Sequence, residues 1–150
     1  MRRNEKEITD RLEIDAVIKR ATICRIAMVD GNKPYIVPVN YGYKDNTLYI
    51  HSAHKGKKID ILKKNNHVCF EIDINTEIVK ADKACNWSMK YKSVVGFGKA
   101  IFVEEQSEKK KAFTVLMNQY SNDIYEFNEE AVNTSTIIKI EIEDVTGKQA

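Results

Sequence analysis

Residues 34–73 read PYIVPVNYGYKDNTLYIHSAHKGKKIDILKKNNHVCFEID, and the fold turns on how this stretch divides. Three runs in it, 34–43, 47–52 and 67–73, are rich in β-branched and aromatic residues, which marks them as strands. Lys44-Asp45-Asn46 is a turn signal between the first two, so they form an antiparallel pair. Pro38 lies inside the first run and has no N–H for a ladder. Its position therefore belongs at an edge, at a bulge or against a ligand. Residues 56–64 read as a short basic helix, with Ile59 and Leu62 facing inward.

Upstream, Asp10 is placed to cap a helix, with Glu13 as its capping-box partner. Ile14, Val17, Ile18 and Ala21 follow at helical spacing. Residues 22–29 read as a strand, and Asp30-Gly31-Asn32 as a turn. Downstream, 74–90 shows no clear period. Residues 91–103 form a long strand broken by Gly96 and Gly98, which suits a bend or a close backbone approach. Ser107 is placed to cap a helix with the stripe Phe113, Leu116, Met117 and Tyr120. Residues 121–135 read as loop with at most one helical turn. Residues 136–144 alternate, with Ile138, Ile140 and Ile142 on one face. The sum is about six strands and three helices. Strands in antiparallel runs favour an α+β, mainly β domain built on a small barrel, a single domain over 1–150.

Composition narrows the function classes. The chain has 150 residues, 43% hydrophobic and 31% charged, with 2 Pro and 6 Gly, the profile of an ordinary globular domain. With 24 basic and 22 acidic residues, the net charge of +2 lacks the clustered excess of a nucleic-acid binder. Cys24, Cys69 and Cys85 are odd in number and include no CxxC pair, so no disulfide framework is expected, and the cytoplasm is the simplest compartment. MRRNEKEITD at the N-terminus is charged with no apolar stretch after it, unlike a signal peptide. No apolar run approaches the ~20 residues that span a bilayer, so no membrane partner is expected.

The densest chemistry lies in residues 48–62, LYIHSAHKGKKIDIL. A strand end at His51-Ser52, a loop with Lys55 and Gly56, and a helix starting at Lys57-Lys58 together describe a site for a phosphate. Helix N–H groups and the helix dipole favour an anion there, and lysines and a hydroxyl add charge and a donor. A solvated basic face is the plain alternative for the lysines alone. His51 and His54 form an HxxH pair and His67-x-Cys69 has ligand spacing, but four convergent ligands are not apparent and no metal site is expected. Cys24 and Cys69 lie in apolar strands and read as core thiols. Trp87, Met89 and Tyr91 read equally as neighbours of a bound ring or as core or interface packing.

The whole stretch 34–73, preceded by EIDAVIKRAT and followed by YKSVVGFGKA at 91–100 and IKIEIEDVTGK at 138–148, resembles the FMN-binding split β-barrels of the pyridoxamine-phosphate-oxidase-like superfamily. The layout is most similar to the nitroimidazole-resistance branch. The resemblance implies a split β-barrel with peripheral helices, FMN as cofactor, and a homodimer with FMN at the interface. It places the phosphate on Ser52, Lys57 and Lys58, with Lys55 and His51 beside them. His51 and Ser52 stand where the oxidases have a Tyr-Thr pair, and Lys57 where they have Arg, which loses the bidentate fork. The isoalloxazine ring would run along Val37, Pro38, Val39, Asn40 and Tyr41, and Lys92 and Ser93 would reach the phosphate or ribityl chain. His51 is the candidate catalytic residue.

The C-terminal Trp and Arg that hold pyridoxal phosphate in true oxidases are not found here, which argues against that reaction. The implied activity is flavin-dependent reduction of a small planar acceptor such as a nitroaromatic. A non-catalytic flavin- or haem-binding stress protein, with His51, His54 or His67 as haem ligand, is the alternative.

Overall fold

The computed structural model describes residues 4–150. Residues 1–3, part of the charged N-terminal stretch, lie outside the described residues. The chain runs β1 (Glu7–Ile8), α1 (Arg11–Arg20), β2 (Cys24–Asp30), β3 (Lys33–Val39), β4 (Gly42–Lys44) and β5 (Thr47–Ser52). It continues with α2 (Lys57–Lys64), β6 (His67–Val79), β7 (Ser88–Val103), α3 (Gln106–Asn118), α4 (Glu129–Asn133) and β8 (Thr136–Gln149).

The strands form one antiparallel sheet in the order β3-β2-β6-β7-β8-β5-β4, and β1 pairs with the far end of β8. β3 and β4 are the two outer strands of that order, yet only Asn40 and Tyr41 separate them. Three peptide steps span at most about 11 Å, so the sheet must curl until its edges meet. The result is a split β-barrel, an α+β fold dominated by strands. Pro38 lies on β3, an edge strand, which explains how the sheet tolerates a residue with no N–H.

The barrel interior is filled by alternate residues of each strand. Val68, Phe70 and Ile72 from β6, and Ile138, Ile140 and Ile142 from β8, are buried with Ile26, Met28, Leu48 and Ile50. α1 adds Ile14, Val17 and Ile18, and α2 adds Ile59, Ile61 and Leu62. Gly96 and Gly98 sit where a Cβ would run into the Phe70 ring and the Glu141 carbonyl, the close approach their spacing suggested.

Several local expectations change. Residues 34–43 are not one strand. Tyr41 leaves the ladder because its ring is fully buried, its hydroxyl donates to the Ile18 and Ala21 carbonyls, and its N–H donates to the Tyr120 hydroxyl. Asp10 caps α1 by accepting from the Leu12 N–H at 2.9 Å, but Glu13 does not close a capping box and pairs with Lys92 at 2.6 Å. Glu105, not Ser107, occupies the N-cap of α3.

β6 runs on to Val79 and β7 begins at Ser88, inside the stretch that showed no period. A bulge between Ile74 and Glu77 shifts the register there, with Asn75 at φ 57, and this breaks the alternation that marks a strand. Cys69 is partly exposed on the outer face of β6, whereas Cys24 is buried and its thiol is pushed up to about 12 by burial.

Candidate functional site

The end of β5 and the start of α2 form the candidate site. β5 pairs with β8 so that His51 faces Ile137 and Ser52 faces Thr136. The loop after Ser52 brings His54 back over the same point, where its Nδ1 and the Thr136 hydroxyl are hydrogen-bonded at 2.7 Å. Gly56 then opens α2 with φ 139, a conformation that favours glycine. No side chain caps the helix, so its first N–H groups remain available to an outside acceptor.

The two lysines at that helix start point in different directions. Lys57 lies 3.9 Å from the Asp30 carboxylate and 4.8 Å above the Tyr35 ring. Lys58 is half-buried and has no ion pair or hydrogen bond among the described residues. Burial lowers its pKa from the ordinary lysine value. Its charge is also felt by His51, whose pKa is lowered by burial first and then by Lys58 and His54. His51 therefore favours the neutral imidazole. Its ring packs against Phe113 of α3 at 5.6 Å between centroids, and Phe113 packs in turn against Phe127 at 5.5 Å.

The structure thus brings His51 within reach of the charges of Lys58 and His54, while Ser52 follows His51 at the end of β5. Lys55 is exposed on the connecting loop. Val37, Pro38 and Val39 lie along edge strand β3, tied to the start of α2 through Tyr35 beneath Lys57. Asn40 follows, its amide within 3.5 Å of the Thr22 carbonyl. Tyr41 is a core residue whose side chain and N–H are used within the chain.

Lys92 and Ser93 stand apart. They pair with Gln149 and Lys148 at one end of β8, while Ser52 pairs with Thr136 at the other. Twelve residues of strand are roughly 40 Å of chain, so within one copy these groups do not converge. Lys92 is also engaged by Glu13.

Sequence reasoning passed over Phe127, Thr136 and the role of His54 beside Thr136. Nothing local could place Thr136 against residues so distant in the chain. Phe113 was legible only as part of a helix stripe. Trp87 and Met89 are half-exposed, away from the His51 cluster, on the ribbon formed by the ends of β6 and β7.

An antiparallel split barrel with peripheral helices, carrying an uncapped helix start beside a strand end, defines the class of fold. The chain belongs to the pyridoxamine 5'-phosphate oxidase family, whose model matches residues 10–149.

Among solved structures it is similar to a proposed 5-nitroimidazole antibiotic resistance protein from Bacteroides thetaiotaomicron. The two are 33% identical, with a TM-score of 0.86 over 95% of this chain and 86% of that one. It is also similar to a FAD-binding protein from Mesorhizobium loti, 26% identical, with a TM-score of 0.69 over 94% and 95%. An uncharacterized protein of Rhizobium meliloti is 34% identical over 65 residues, so the match spans less than half of either chain, 43% of this one and 42% of that one.

Proposed function

We propose that this chain binds FMN, as a homodimer with the flavin at the interface, and that it reduces a small planar acceptor such as a nitroaromatic. Lys58 carries the cofactor half of the reading. An ammonium group that is half-buried without an acidic partner is costly to keep. A phosphate held between Lys58, Ser52 and the first N–H groups of α2 would offset that cost. Family membership and the similarity to a FAD-binding protein support a flavin in particular.

The two-copy half rests on distance. Lys92 and Ser93 can serve the same flavin as Ser52 and Lys58 only if they come from a second chain. The acceptor class rests on the similarity to the Bacteroides protein.

When bound, flavin supplies electron and hydride transfer. The chain's own residues bind and orient. Lys58 and Ser52 anchor the phosphate end, the backbone of Val37 to Asn40 lies along the ring, and Phe113 fixes the His51 imidazole. Neutral His51 keeps one ring N–H, which can position the acceptor by donating to its oxygen and supply a proton there as the acceptor is reduced.

The test is an absorbance spectrum of the purified protein, then titration with FMN, FAD and riboflavin. FMN-loaded protein is next reduced without oxygen and mixed with a nitroimidazole. The expected result is preference for FMN and reoxidation by the nitro compound, slowed in His51→Gln. A Soret band in place of flavin bands, or indifference to the phosphate, would refute the cofactor reading. Tight FMN binding without reoxidation would leave a carrier.

A further inference from the structure

Seven of the twelve large hydrophobic residues exposed among the described residues lie on one side of the sheet. Along β7, Val94, Gly96, Gly98 and Ala100 turn inward, so Phe97 and Ile101 turn outward. Ile36, Ala27, Cys69 and Phe97 are direct neighbours across β3, β2, β6 and β7 and form an apolar row. Beside it Ala27, Val29, Pro34, Cys69 and Phe97 line a shallow, almost wholly apolar hollow of about 250 Å³.

The same outward side continues onto a projecting arm. Beyond Ile74 and Tyr91, β6 and β7 pair only with each other, since β8 and Ala150 join β7 from Tyr91 onward and β2 joins β6 only up to Glu71. The bulge after Ile74 resets the register so that Ile78 faces Met89. Trp87, Met89 and Ile78 therefore share the arm's outward face, each about half exposed. The Trp87 indole is held in place by its N–H donating to the Ala81 carbonyl at 2.8 Å. A two-stranded ribbon is marginal on its own in water, and one with a fixed, exposed indole needs a surface to lie on. It cannot use its own sheet: Cys69 and Val79 are ten residues apart on β6, roughly 33 Å of straight strand.

We infer that the β6–β7 arm of one copy lies on the outer sheet face of a second copy, with Trp87 seated in the hollow beside Val29, Pro34 and Phe97, and that the exchange is reciprocal. The arm supplies the knob and the face the hole, so a two-fold axis satisfies both patches at once. The seven side chains leave on the order of 700 Å² exposed, close to the roughly 800 Å² each partner buries in a standard interface. This inference rests on the two-copy half of the proposed function and is independent of its cofactor half.

The experiment uses the full chain in a Cys69→Ser background. Cys85, exposed on the arm, then takes a benzophenone maleimide, since Cys24 is buried. After irradiation, dimers between isotope-labelled and unlabelled chains are digested and the linked peptides identified. Links from Cys85 to residues 27–36, 67–71 or 95–99 of the other chain are expected. Trp87→Asp and Ile36→Asp should each raise the dimer dissociation constant at least 30-fold, as loss of an interface anchor does, while Leu12→Asp on α1 leaves it unchanged. A dimer that links elsewhere, or that survives both substitutions, overturns the arm-on-face arrangement alone. A chain that stays monomeric at every concentration overturns it together with the two-copy reading.

Discussion

Lys58→Ala should cost FMN affinity far more than Lys57→Ala, although the two residues are adjacent and chemically identical. Lys58 has no partner to surrender among the described residues, and its desolvation is already built into the fold. A charge-assisted hydrogen bond to phosphate in such a setting is worth about 1.5–3 kcal/mol, or roughly 10- to 150-fold in the dissociation constant. Lys57 would first have to leave Asp30 at 3.9 Å and the face of Tyr35 at 4.8 Å. Exposed contacts of this kind are worth about 0.5–1 kcal/mol, so its net contribution should be within about threefold. Quenching of flavin fluorescence during titration measures both variants. Riboflavin, which lacks the phosphate, should bind wild type and Lys58→Ala alike. Equal losses from the two lysines, or a Lys58→Ala loss as large for riboflavin as for FMN, would refute the reasoning.

The same lysine sets a pH limit. Burial lowers its pKa, so FMN affinity should fall as pH rises through that lowered value, and Lys58→Arg should move the fall to higher pH in the same titration. Phe127→Ala should loosen Phe113 against the His51 ring and relieve part of the desolvation that lowers the imidazole pKa, raising it toward the ordinary value of about 6.5; NMR titration of the ring reads this without any flavin. Because the His51 pKa is lowered in the folded chain, its contribution to stability is present above the unfolded value and is lost as pH falls from there through the lowered folded value, and Phe127→Ala should shrink that acid-side loss in thermal melts. Tyr41→Phe removes the donor to the Ile18 and Ala21 carbonyls and should cost about 1–2 kcal/mol of stability by denaturant unfolding, with FMN affinity unchanged.

The barrel was legible because its signals are local. Thr47–Ser52 is bounded by turn residues and matches the observed strand, and the alternation of Ile138, Ile140 and Ile142 marks the buried face of β8. What escaped depended on contacts distant in sequence. Tyr41 carries every mark of a strand residue, and only the carbonyls at the end of α1 and the Tyr120 hydroxyl draw it out of the ladder. The β6–β7 arm was hidden for another reason. One inserted residue near Asn75 inverts which positions face outward, so a reader following a period of two loses the strand at the bulge.

The candidate site shows the same division more sharply. The expectation of a phosphate between Ser52 and the start of α2 comes from residue types in sequence, because a strand end, a glycine and a helix N-terminus are chain neighbours. Which lysine faces it does not follow, since Lys57 and Lys58 differ by about 100° around α2 and only Asp30 and Tyr35 decide which is already occupied. The grouping of Lys92 and Ser93 with the phosphate is a still longer inference. It treats the site as one surface of one chain, whereas β8 separates the two ends by its own length. If those residues touch the flavin, the second copy is part of the site and not an accessory to it. A Trp87→Asp variant that becomes monomeric should then lose FMN affinity although Trp87 itself lies far from Ser52 in its own chain.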